Sequence, residues 1–99
     1  MTTAHTGEAA LSRGYSSQKD QLQNRLRRIE GQVRGVQRMV DEDRWCPDIL
    51  VQIAAIQAAM EKVALGLAEG HARHCIVGGP ADQQEERVGE LMAALSRLR

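Results

Sequence analysis

Apolar residues recur at Leu22, Leu26, Ile29, Val33, Val36 and Val40, an alternation of four and three. One narrow stripe along an α-helix has this period, so a helix is expected over roughly Gln18 to Asp41. Ser17 offers a capping hydroxyl, and Asp20 an early carboxylate at the positive end of the helix dipole. Gly31 and Gly35 each weaken the helix by about 1 kcal/mol, so packing must hold it, and they leave room for another backbone. The acidic run Asp41-Glu42-Asp43 ends it in a short turn.

A second helix is expected to open at Pro47. A missing N–H costs nothing at the first helical position, and Asp48 complements the dipole, which places Cys46 at or beside the N-cap. Ile49, Ile53, Ile56, Met60, Val63 and Leu67 form its seam, widened by Leu50, Ala54, Ala58, Ala64 and Ala68. A helix apolar on more than one side needs more than one neighbour. Gly66 and Gly70 loosen its end, with i to i+4 geometry expected to about Cys75, and Gly78-Gly79-Pro80 stops it. A third helix follows over roughly Ala81 to Leu98, with Val88, Leu91, Met92, Leu95 and Leu98 on one face. Nothing reads as a strand. The aperiodic N-terminus reads as a disordered arm, 1–17, and residues 18–99 as one all-helical domain.

A chain of 99 residues forms one domain at most and leaves much surface unburied, which favours oligomerisation. It has no Phe and only one Trp and one Tyr, so closely approaching helices replace a bulky aromatic core. Thirteen basic and thirteen acidic residues cancel, so only the distribution of charge bears on nucleic acid. That distribution is uneven. Arg25, Arg27, Arg28, Arg34 and Arg38 share the polar side of the first helix with a single acid, Glu30. Arg27, Arg34 and Arg38 cluster away from the seam, and Arg25 and Arg28 flank it. Charge alone leaves open a solvated face and a phosphate-binding surface. The chain shows no apolar region of a secretory signal, and no apolar run reaches membrane-spanning length without polar interruption. The reading is cytoplasmic, with no membrane partner. In that reducing compartment a cysteine pair is more often a metal site or redox switch than a disulfide.

The two cysteines, Cys46 and Cys75, stand at opposite ends of the apolar stretch. On a helix, His71 and Cys75 project from one face about 6 Å apart at their bases, a chelating pair. Cys46 precedes His71 by a helix spanning roughly 37 Å, so it cannot reach its own His71. An antiparallel copy removes the difficulty. If two such helices cross about a two-fold axis near Ala59 and Met60, one dimer carries two equivalent sites, each built from Cys46 of one protomer and the partner's His71 and the partner's Cys75. Two thiolates and an imidazole suit a soft, three-coordinate ion, and Cu(I) fits best. Zn(II) would want a fourth ligand. His74 projects about 100° from Cys75 and about 60° from His71 and is read as surface, and His5 as a bystander in the tail. Either Cys46 or His71 alone would read as a small buried hydrophobe or a dipole partner. Their combination with the crossing geometry is what points to a site.

The run Arg25-Leu26-Arg27-Arg28-Ile29-Glu30-Gly31-Gln32-Val33-Arg34-Gly35, then Cys46-Pro47-Asp48, Ile53 to Ala59, and the Cys46, His71, Cys75 spacing resemble the copper-sensing transcriptional repressors of the CsoR type. The likeness covers about residues 18 to 98. It implies an all-α, three-helix protomer forming an antiparallel dimer with a four-helix-bundle-like core, assembled as a dimer of dimers, a homotetramer without a helix-turn-helix. By position it implies Cys46, His71 and Cys75 as the ligands of one Cu(I) per protomer and Glu90 as an acid behind them. Arg25 and Lys62 match operator-contacting positions, and Arg13 and Lys19 fall in or beside the family's mobile N-terminal arm. Trp45 stands where copper sensors often carry Tyr, which alters the reach of the group beside the first ligand. Nickel- or cobalt-responsive members place His where Cys75 stands, formaldehyde-responsive members lack that Cys, and persulfide-responsive members lack His71.

The expected function is a repressor that binds operator DNA when metal-free and releases it on binding Cu(I), derepressing copper-efflux or copper-resistance genes. Two alternatives are a persulfide- or thiol-responsive repressor on the same scaffold and a cytoplasmic copper buffer that never touches DNA. No set of nucleophile and base suggests an enzyme or a small-molecule substrate.

Overall fold

The computed structural model describes residues 18–98, and His5, Arg13 and Ser17 lie outside them. Among the described residues the chain is all-α, with helices α1 (Lys19–Asp41), α2 (Cys46–His71) and α3 (Gln84–Leu95). A π-helical segment, Ala72–Val77, continues α2, and a 3-10 turn, Ala81–Gln83, leads into α3. The three helices expected from the hydrophobic period are present in order. The described residues fall into two compact units, residues 20–65 and a second that takes in 66–98.

In the first unit, Leu22 and Ile29 are the buried residues of α1, and Val63 of α2 is buried as well. Leu26 and Val36 are half-buried, while Val33 and Val40 are exposed. The stripe read from the sequence is therefore one continuous line of which this chain covers only part. A Cβ added at Gly31 or Gly35 would meet nothing within 4 Å, so the room these glycines leave is open.

The acidic turn after α1 is a Schellman closure. Arg44 N–H donates to Met39 O at 2.9 Å and Asp43 N–H to Val40 O at 3.1 Å, with Asp43 at φ 54° in the left-handed region. An aspartate enters that region more readily than most side chains, though still at a cost that glycine lacks.

The Trp45 carbonyl accepts the N–H groups of Asp48 at 3.0 Å and Ile49 at 3.4 Å, which makes Trp45 the N-cap. Cys46 is then the first helical residue and Pro47 the second, one position later than expected. Neither of the first two helical N–H groups has a partner inside the helix, so Pro47 sacrifices nothing at either place. Contrary to the sequence expectation, the stretch Cys46–Val77 is long and apolar enough to cross a membrane by length and composition, because Gln52, Gln57, Glu61 and Lys62 interrupt it too sparsely. Almost none of it is buried within the chain.

In the second unit, Cys75 and Ile76 are buried in the π-helical segment. Gly78 N–H donates to Arg73 O, five residues back, at 3.1 Å. The α-geometry expected to reach Cys75 thus stops at His71, and the thiol lies in a wider turn. Helix α3 is shorter than expected at both ends. Its N-terminus is the 3-10 turn, and past Leu95 the backbone tightens, with Arg97 N–H on Ala94 O and Leu98 N–H on Leu95 O. Ser96 Oγ also donates to Ala93 O at 2.7 Å.

Replacing Asp43 by Gly should raise unfolding stability by about 0.5–1 kcal/mol, and Asp43→Val should lower it by at least about 1 kcal/mol. Urea denaturation at one fixed protomer concentration measures both, and a destabilised Asp43→Gly protein would contradict the strained-turn account.

Candidate functional site

Helix α2 carries one candidate ligand in its first turn and another at its last residue, because its apolar register runs 26 residues without a break. Cys46 opens it, exposed, with Trp45 beside it 71% exposed. His71 closes it, and Cys75 follows in the π turn. The two cysteines are thiols.

His71 and Cys75 share a cavity of about 390 Å³ whose other lining residues are Gln83, Glu86, Arg87 and Glu90. The chelating pair expected from spacing is therefore brought together, and Glu90 lies beside it as its position implied. Cys75 is buried, His71 half-buried and His74 exposed. Cys46 and Trp45 belong to the other unit. Among the described residues no three His, Cys, Asp or Glu side chains gather closely enough to hold a metal ion. What the chain presents is an imidazole and a buried thiol, two of the three donors of a soft-metal site, with a carboxylate behind them.

Arg87 and Gln83 escaped the sequence reading. Arg87 Nη1 donates to the Cys75 carbonyl oxygen at 2.9 Å, and its Nη2 donates to Gln83 Oε1 at 2.7 Å. Gln83, Glu86, Arg87 and Glu90 fall at positions i, i+3, i+4 and i+7, a polar stripe that helical spacing alone could have exposed.

The basic residues divide between two clefts of the first unit. Arg25, Arg28 and Lys62 line one of about 650 Å³, with Gln21, Asn24 and Gln32 on one wall and Ala55, Ala58 and Ala59 on the other. Arg27 and Arg34 line the second, beside Leu26, Ile29, Val33 and Met60. Arg38 lines neither and is exposed. Arg27 Nη1 donates to Asn24 Oδ1 at 2.6 Å. The ion pairs among the described residues, Arg44 with Glu42 and Arg73 with Glu69, involve none of these cations. Arg25, Arg28 and Lys62 thus converge on one small-walled cleft with no carboxylate partner, an arrangement suited to an anion.

The family model described as "Metal-sensitive transcriptional repressor" matches residues 18–97. The copper-sensing transcriptional repressor CsoR of Bacillus subtilis (strain 168) is 52% identical over 95 residues, covering 95% of this chain and 94% of that protein. The copper-sensing transcriptional repressor RicR of Mycobacterium tuberculosis (strain ATCC 25618 / H37Rv) is 44% identical over 103 residues, covering 99% and 97%. Among solved structures, the crystal structure of the copper-sensing repressor CsoR with Cu(I) from Geobacillus thermodenitrificans NG80-2 superposes with a TM-score of 0.73 at 46% identity. That alignment covers 82% of this chain and 85% of the other. With its helices in the expected order and the match running almost from end to end of the described residues, the chain belongs to the metal-sensitive transcriptional repressor family.

Proposed function

We propose that this chain is a Cu(I)-responsive repressor that holds operator DNA when metal-free and lets go when Cu(I) binds. Each Cu(I), one per protomer, is held by Cys46 of one protomer with the partner's His71 and the partner's Cys75. The regulated genes serve copper efflux or resistance, the protein acts in the cytoplasm, and its role is regulatory rather than enzymatic. The names of the relatives support copper as the signal.

The observation that carries the reading is the split donor set on an uncovered helix. Ile53, Met60 and Leu67 lie seven apart along one line of α2 and are 37%, 48% and 37% exposed. A two-fold axis at Met60 sets Ile53 against the partner's Leu67 and brings Cys46 opposite the partner's His74, within one turn of the other two donors. One antiparallel contact would bury the apolar line and complete two metal sites. Bound there, Cu(I) supplies a link between protomers at each end of α2, where thiolate and imidazole donors suit it. Two such dimers assemble to the homotetramer.

Arg25, Arg28 and Lys62, with Arg27, Arg34 and Arg38 along the rest of α1, lie along DNA phosphates in the metal-free assembly. The linked arrangement moves them out of register. The coupling is reciprocal, so bound DNA weakens Cu(I) binding by the factor with which Cu(I) weakens DNA binding.

A duplex selected from a random-sequence pool by the metal-free protein provides the probe. Its affinity should fall by at least tenfold with one Cu(I) per protomer under anaerobic conditions, and equal affinity with and without Cu(I) would end the proposal. Lys62→Ala should weaken binding to that duplex and flatten the slope of log K against log salt by about 1, read by fluorescence anisotropy across salt concentrations.

The shared site has its own test. Cys46→Ser protein and His71→Ala protein should each bind DNA without responding to Cu(I). Refolded together, they form mixed dimers in which one site regains all three donors, so a Cu(I) response should reappear. A mixture as inert as its components would mean that the donors are not contributed across an interface.

A further inference from the structure

The cavity around His71 and Cys75 contains a cation whose hydrogen bonds go to neutral acceptors although Glu86 and Glu90 line the same space. Arg87 spends its fork on a main-chain carbonyl and a side-chain amide. The carbonyl belongs to Cys75, in the middle of the π turn. One π turn ahead of Cys75 stands Pro80, which has no N–H to offer. One α turn ahead stands Gly79, whose N–H goes to Ile76 O at 3.3 Å. The Cys75 carbonyl instead receives Arg87 Nη1 at 2.9 Å from α3, and Gln83 holds the guanidinium in place from the preceding turn. Gly79 is part of the same arrangement. A Cβ there would overlap the Cys75 carbonyl oxygen and come within 3.5 Å of Arg87 Nη1, so only glycine admits both groups.

We infer that Arg87 is the positioning residue of the metal-ligand segment. By fixing the Cys75 carbonyl from α3, it holds the π turn and thereby sets where the Cys75 sulfur stands relative to the His71 imidazole. A charge-assisted bond to a main-chain carbonyl is strong and directional, and it acts one residue's backbone away from the sulfur itself. Arg87 touches neither donor atom in this account. The inference rests on the Cu(I) reading above and adds to it a residue, a glycine and a helix on which ligand geometry depends.

The test compares wild-type protein with Arg87→Met, Arg87→Lys and Gly79→Ala. Anaerobic competition against a Cu(I) chelator gives the affinity, X-ray absorption gives the coordination number, and hydrogen exchange of the metal-free proteins reports on residues 76–79. Arg87→Met should bind Cu(I) at least tenfold more weakly, and its coordination should fall from three ligands to two. Its amides at 76–79 should exchange faster, with metal-free DNA affinity within twofold of wild type. Arg87→Lys, which keeps one donor and the charge, should recover part of the loss. Gly79→Ala displaces the carbonyl while leaving His71, Cys75 and Arg87 in place and should reproduce the Arg87→Met result. A folded Arg87→Met protein with wild-type affinity and three-coordinate Cu(I) would overturn the inference. If that variant does not fold, the same two outcomes are read from Gly79→Ala. Failure of wild-type protein to bind Cu(I) at all would overturn the functional reading itself.

Discussion

A straight helix cannot bring its own ends together. At 26 residues, α2 keeps Cys46 and His71 apart for as long as it remains a helix, and its apolar residues make it remain one. The same residues leave it uncovered, because a chain of 99 residues has little else to lay against it. Burial of the helix and completion of a ligand set therefore raise one requirement, a second surface of matching length. A copy of the same helix running the opposite way meets it with no further invention. Seen in this light, the exposed Ile53, Met60 and Leu67 and the incomplete donor set are two aspects of one design.

The other end of α2 is organised by a conflict between local rules and tertiary contacts. Gly78, Gly79 and Pro80 must end the helix, yet Cys75 lies only one turn before them. The chain resolves this by widening its last turn and letting a side chain from α3 do what a backbone donor would otherwise do. The cost is dependence on a glycine with no room for a Cβ and on an arginine held by Gln83. In exchange, a segment bearing a buried thiol is tied to a separate helix, so that a change at one is felt at the other.

The three helices, their order and the pairing of His71 with Cys75 were legible because each rests on spacing along one element. Leu22 and Ile29 lie where their period puts them, and a separation of four residues survives a change from α to π geometry well enough to keep both donors in one cavity. What spacing could not convey was anything decided between elements. The π turn depends on Arg87, a residue twelve positions away whose significance appears only when α3 packs back. The N-cap moved from Cys46 to Trp45 because a carbonyl cap needs no particular side chain and leaves no mark in the sequence. Gly31 and Gly35 read as places of close approach, and within this chain they are open, since whatever approaches them is not part of it. The division of the arginines into two clefts was visible as an angle on a helical wheel. The convergence of Lys62 with Arg25 and Arg28 was not, because it required α2 to lie alongside.

The π turn also bears on how such a chain changes over generations. Its hydrogen-bonded loop holds one residue more than an α turn does, so it is equivalent to an insertion accommodated without a bulging loop. A single deletion between residues 72 and 77 would restore α register and rotate everything beyond it by about 100°. His71 would stay in place while α3 swung to present different side chains to the cavity. Chain length at this one joint is thus a variable in its own right, able to re-aim the surroundings of a thiol and an imidazole without altering either.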